Sequence, residues 1–165
     1  MKKLLFIIIL CCFSTGALAE TKGFQLSLIP DIAIQPKTTQ IEGITFGLWN
    51  ENPQNALALG IVNGSTGNSS GLTLSFLLNY SDNYRGAQLA YIANWVKGEM
   101  KGLQWAAFNY ASRLHGLQLG FINYAETSDK GVQLGFVNIM NETQKWFGNL
   151  PDEVAPAMVF VNWRF

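Results

Sequence analysis

Gly116-Leu117-Gln118-Leu119-Gly120-Phe121-Ile122-Asn123 is followed fifteen residues later by Gly131-Val132-Gln133-Leu134-Gly135-Phe136-Val137-Asn138. Weaker copies open at Gly43, Ala56, Gly71, Gly86, Gly102 and Ala155 and close on Asn50, Asn63, Asn79, Asn94, Asn109 and Asn162. The openings lie 13, 15, 15, 16, 14, 15 and 24 residues apart. A period of this kind marks a repeat architecture, and it decides the fold before any motif does. Each copy is rich in β-formers and bounded by Gly or Ala and Asn, with connections of five to seven residues between copies except the long one from Ile139 to Val154. That is strand chemistry punctuated by turn chemistry.

Two arrangements fit such a period, a parallel solenoid and an antiparallel meander. Eight residues of straight strand cover about 26 Å, and the seven left can only just retrace it fully stretched. On that count the meander is expected, with an N-terminal strand over Phe24 to Ile29 ahead of eight repeat strands. The expected fold is all-β, a small barrel of eight to ten strands, because single-chain bacterial barrels are even-numbered.

Charge placement points the same way. No Asp, Glu, Lys or Arg occurs in 43–50, 56–63, 71–80, 86–96, 102–110, 116–125 or 131–141, and the charges fall between these windows. A half-exposed soluble sheet normally carries charge on its wet face. Its absence predicts hydrocarbon on one side and a filled bore on the other. The predicted lipid-facing residues are Leu72, Leu74, Phe76, Leu117, Leu119, Phe121, Leu134 and Phe136. The predicted lumen-facing set, small or amide-bearing, is Thr73, Gln88, Gln104, Gln118, Gln133, Gly120 and Gly135. Tyr80, Trp95, Tyr110, Tyr124 and Trp163 stand at strand ends, as interfacial girdles do. A straight strand, however, puts Tyr110, Tyr124, Trp163 and Phe165 in phase with the Gln/Gly face. Either a bulge intervenes or the two faces are reversed.

The ends add location. Met1-Lys2-Lys3, the apolar run Leu4 to Phe13 and the small residues up to Ala19 have the grammar of a cleaved export signal, leaving 20–165 as one domain. A lipidated Cys11 or Cys12 is the less favoured reading, since Leu10 and Ile9 stand where small residues are wanted. Both cysteines of the chain lie in that segment, so no disulfide or thiolate chemistry is expected beyond it. Nine Lys+Arg against eleven Asp+Glu then remain, a balance of −2 with no basic tract, so nucleic-acid binding has no electrostatic support and no such partner is expected.

Tandem Gly-Leu-Gln-Leu-Gly-Phe-Ile-Asn units resemble those of uncharacterised bacterial surface-repeat proteins, over residues 23–165. The resemblance implies a surface location and brings no activity; the chain departs from it at Ala56 and Ala155 and in the long insertion Ile139 to Val154. The alternating end Val159-Phe160-Val161-Asn162-Trp163-Arg164-Phe165 also resembles the signal by which outer-membrane barrels are inserted, with Trp163 and Phe165 its key residues. The partners this implies are membrane lipid and the barrel-insertion machinery.

Chemistry is sparse. His115 is the single histidine; with Ser112 and Asp129 it sketches a triad, but a turn histidine is more simply exposed. No metal or cofactor site is expected. Trp146-Phe147, in the long insertion, is the candidate partner contact. The functional expectation is a non-enzymatic outer-membrane surface protein and not an open pore. A soluble exported interaction module is the second reading, and a lipid-modifying barrel enzyme the least favoured.

Overall fold

The computed structural model describes residues 20–141 and 157–165. The leader and the Trp146-Phe147 pair lie outside that range. Seven strand elements form one sheet in the order β2-β1-β3-β4-β5-β6-β7. They are β1 Thr21–Ile29, β2 Ile32–Ala33, β3 Gln40–Asn52, β4 Asn55–Ala90, β5 Ala93–Trp105, β6 Phe108–Met140 and β7 Ala157–Arg164.

The pairings overturn the expected meander. β1 with β3, β3 with β4, β4 with β5 and β5 with β6 are all parallel. Each residue pairs with its equivalent one repeat away: Asn50 with Asn63, Gly86 with Gly102, Gln104 with Gln118. The chain is therefore a β-solenoid of about seven coils, neither a barrel nor a set of membrane-crossing strands. The sheet has two ends, β2 and β7, where a barrel has none.

The length argument fails because the repeat unit is not a straight strand. In the coil from Gly116, Gln118 is buried, Phe121 and Ile122 are both exposed, and Asn123 and Ala125 are buried again. Strict alternation permits no two successive outward residues, so the chain turns a corner between Phe121 and Ile122. Bends at Tyr91-Ile92 and Ala106-Ala107 mark the same corner in earlier coils. Short sides meeting at corners need no long retracing run. The polar connections are also extended, pairing Glu99 with Arg113 and Lys101 with His115. The corner slips the phase by one residue, so Tyr110 and Tyr124 share the outer surface with Leu119 although a straight strand puts them on the other face.

One glycine column shows why Gly opens the repeat. Gly71, Gly86, Gly102 and Gly116 have φ of 117°, 132°, 128° and 146°, a region that favours glycine. A Cβ on Gly116 would also stand 2.1 Å from the carbonyl oxygen of Gly102.

Inside, columns of like residues stack along the axis. Asn50, Asn63, Asn79, Asn94, Asn109, Asn123 and Asn138 form a buried ladder in which each Nδ2 donates to the next Oδ1, at 2.7 to 3.2 Å. Each of these side chains also donates to a main-chain carbonyl, as Asn109 does to Leu119 at 2.7 Å. Gln88, Gln104, Gln118 and Gln133 form a second ladder running the other way, each Nε2 donating back to the preceding Oε1. Amide ladders satisfy buried polar groups only when coils are in register, so they select the parallel stack. Tyr84, Val96, Met100, Ala111, Leu114, Ala125 and Met140 make the apolar part of the core.

Both ends are capped by antiparallel pairing. β2 folds back on β1, while β7 runs against Gly131 to Ile139 of the last coil. β7 is thus a cap and not the closing strand of a barrel. Its Phe160 takes a left-handed φ of 71° where the register shifts between Gly135 and Asn138.

Candidate interaction surface

Leu26 pairs with Phe46 and Phe46 with Leu59; Leu89 pairs with Trp105 and Trp105 with Leu119; Leu134 pairs with Val161. Parallel register thus converts one position of the repeat into an apolar row running the length of the solenoid. Phe76, Leu72, Leu74, Phe121, Leu134 and Phe136 are exposed, and Leu117 and Leu119 half-buried. Thr73, Gln88, Gln104, Gln118 and Gln133 are buried, and a Cβ on Gly120 or Gly135 would strike the carbonyl oxygen of Ala106 or Gly120. They face a solid core, where no bore exists for them to line.

Beside that row the corner makes a ridge. Two coils carry one extra residue there: Gly71 to Asn79 and Gly86 to Asn94 are eight apart, against seven in the others. In those coils Phe76, 65% exposed, and Tyr91, 76% exposed, stand out at the corner and stack with centroids 6.0 Å apart and planes within 6°. Phe121, 68% exposed, continues the ridge and stands 6.0 Å from Phe136. Trp105 and Tyr91 flank a shallow hollow of about 760 Å³ over Ser75, Ala90 and Ala106. Neither residue stood out in the sequence; for Tyr91 the eight-residue spacing of Gly86 to Asn94 was the available signal. A second apolar hollow of about 500 Å³ lies at the N-terminal cap, among Leu26, Leu28, Ile32, Ile34, Phe46 and Leu48.

Past the corner the surface changes character. Trp95 stacks on Tyr110 at 3.9 Å and Tyr110 on Tyr124 at 5.6 Å. Tyr80, in register with Trp95, accepts from Trp49 Nε1 at 3.0 Å and donates to Glu51. Tyr110 donates to Glu126 at 2.6 Å, and Ser112 donates to the other oxygen of the same carboxylate. The stack's rings thus adjoin the apolar ridge while its phenols reach the charged rows. Burial first, and then Glu51, raises the Tyr80 phenol. The Glu126 carboxylate pushes Tyr110 up to about 12. Glu126 itself is held below the usual carboxylate range by Ser112 first and Tyr110 second.

The remaining side bears the charges. Asp82 pairs with Lys97 at 3.1 Å and is lowered chiefly by the Gly67 N–H. Glu99 pairs with Lys101 at 2.7 Å, which lowers its carboxyl. The triad is not assembled: Ser112 is bound to Glu126, and exposed His115 lies beside Lys101. Among the described residues no three His, Cys, Asp or Glu cluster as a metal site would require, and no helix is long and apolar enough to cross a membrane. Trp163 and Phe165 are exposed at the C-terminal cap.

Compared with protein-family models, with curated proteins and with solved structures, the chain matches none. Its class rests on its own geometry, a capped parallel β-solenoid with one uncharged apolar flank.

Proposed function

We propose that this is an exported, non-enzymatic β-solenoid of the cell surface that works as an interaction scaffold, with the uncharged flank as its working face. One observation carries the reading: the apolar rows and the corner ridge stay charge-free over every coil, while charged residues occupy the opposite side of the same coils. Contiguous exposed apolar surface on that scale marks a binding surface, whereas single exposed apolar residues need no explanation. The basic start and apolar run before Ala19 support export. The buried amide ladders support a scaffold role, because they hold the flank rigid without using any of its side chains.

The test is solution behaviour. Purified without surfactant, the chain is expected to self-associate and to bind a hydrophobic fluorescent dye. Phe76→Ser, Tyr91→Ser and Phe121→Ser together are expected to give a monodisperse chain with little dye binding and an unchanged β-type circular dichroism spectrum. A wild-type chain that is monodisperse in plain buffer and ignores the dye would sink this reading.

A further inference from the structure

We propose that the flank's occupant is a lipid bilayer. The solenoid lies along the membrane surface, with the corner ridge among the acyl chains and the Trp95-Tyr110-Tyr124 stack at headgroup level. This rests on the reading of the flank as a docking face and names what it docks on.

Zonation across the coil is the first argument. From ridge to far side the surface passes from Phe76, Tyr91 and Phe121 through stacked Tyr and Trp to ion-paired charge. A bilayer has the same three zones, and amphipathic aromatic rings collect at its interface. The Tyr110 and Tyr80 hydroxyls reach Glu126 and Glu51, and so lean toward the wet side.

Shape is the second argument. Phe121 and Ile122 are successive outward residues on either side of a corner, so the apolar surface wraps a convex edge. Seven coils at about 4.8 Å each make that edge about 29 Å long between its first and last rows. A fluid can close over an edge of this kind, whereas one flat protein face covers only one of its sides. Polarity is the third argument. Protein interfaces carry about one hydrogen bond per 100–200 Å², and the ridge columns provide almost no side-chain donors or acceptors. Depth also fits, since surface-lying elements sink their apolar face about 5–10 Å.

Asp82 with Lys97 and Glu99 with Lys101 pair within the charged rows, and the balance beyond Ala19 is −2, so anionic lipid is not the attraction. Binding to zwitterionic lipid that survives salt follows from this.

The test uses the full chain with Cys11→Ser and Cys12→Ser and one environment-sensitive fluorophore at Phe121→Cys, at Phe136→Cys, or at Arg113→Cys on the charged side. With phosphatidylcholine vesicles, the probes at 121 and 136 are expected to shift to the blue and be quenched by nitroxide on the acyl chains. The probe at 113 is expected to remain open to aqueous iodide. The pattern should be the same in 0.1 M and 1 M salt, and it reports on the ridge whether or not the leader itself enters lipid. Adding Phe76→Ser and Tyr91→Ser should weaken the ridge's partitioning by about 100-fold. Probes at 121 and 136 that stay in water beside vesicles overturn the proposal, as does release by salt. If those probes shift without lipid in a chain that forms a discrete dimer, the docking face stands and its occupant is a second copy.

Discussion

Asn109 shows how much one side chain holds. It accepts from Asn94 at 2.9 Å and donates to Asn123 at 2.9 Å and to the Leu119 carbonyl at 2.7 Å. Asn109→Ala leaves the buried Asn123 amide oxygen without a donor and one N–H of Asn94 without an acceptor, while the Leu119 carbonyl keeps the Ala106 N–H and Asn94 keeps the Gln88 carbonyl. The expected loss is roughly 3 kcal/mol in urea unfolding. Gln118→Ala breaks the other ladder in the same way and should cost a similar amount; a loss under about 1 kcal/mol in both would show the ladders to be ornamental. Titration gives a second expectation. The Tyr110 folded pKa is raised to about 12, so its bond to Glu126 contributes stability fully below the ordinary tyrosine value of 10 and loses it as pH rises toward 12. Glu126 is depressed below 4.5, so its contribution is present above that value and lost as pH falls through the folded one. Buried Tyr84, pushed up to about 12 mainly by desolvation, adds to the alkaline loss. Melting temperature measured between pH 9 and 12 should therefore fall less steeply in Tyr110→Phe than in the parent. Equal slopes would show that this bond does not form. The sequence revealed these residues as columns, since Asn and Gln recur at fixed places. Their partners were not legible, because the same spacing serves a meander or a stack.

At the scale of the element, the coil is the unit that folds or fails. The repeat, its strand character and its uncharged windows could all be read from the chain, but the direction of pairing could not. The reason lies in Phe121-Ile122: a period-two reading treats the Gly-to-Asn unit as straight, and only the burial pattern reveals the bend. The charge-free windows suggest two shielded faces, whereas one face is a solid amide-lined core and the other an apolar flank. A coil that contacts only its neighbours can be removed whole. Deleting Gly116 to Lys130 joins His115 to Gly131 and sets Gln133 beside Gln104 and Asn138 beside Asn109, restoring both ladders. That chain should keep a cooperative β-type melt, with a lower midpoint. Deleting only Gly116 to Asn123 puts every later residue out of register and should abolish the transition. Circular dichroism melts of the two deletions decide this, and loss of the fold in both would argue against stacked, separable coils.

Over the whole molecule the ends matter as much as the flank, because a solenoid has two sheet edges that can each recruit another chain. Here both are closed by reversal of direction. β2 turns back on Ser27 to Ile29 at the end of β1, and β7 runs antiparallel to the last coil, so at both ends the chain reverses where a further parallel coil would stack. The N-terminal cap is also tied inward: Gln25 donates to Asn52 at 2.8 Å and Ser27 donates to Asn50, which joins the cap to the start of the Asn ladder. Deleting Glu20 to Thr39 uncovers β3 from Gln40 onward and leaves Ile44 to Gly47 without their partners on β1. The bared strand has the same parallel register and amide row as every interior coil, so a second truncated chain can add to it. The truncated chain is expected to form elongated, concentration-dependent assemblies, and Thr45→Lys on the bared edge to suppress them by placing a charge where the inner column continues. Sedimentation against concentration for the parent, the truncation and the Thr45→Lys truncation separates this end-to-end growth from association through the flank, which Phe76→Ser and Tyr91→Ser reduce and Thr45→Lys leaves alone. Truncated chains that sediment like the parent would mean that the cap covers an edge with no capacity to grow.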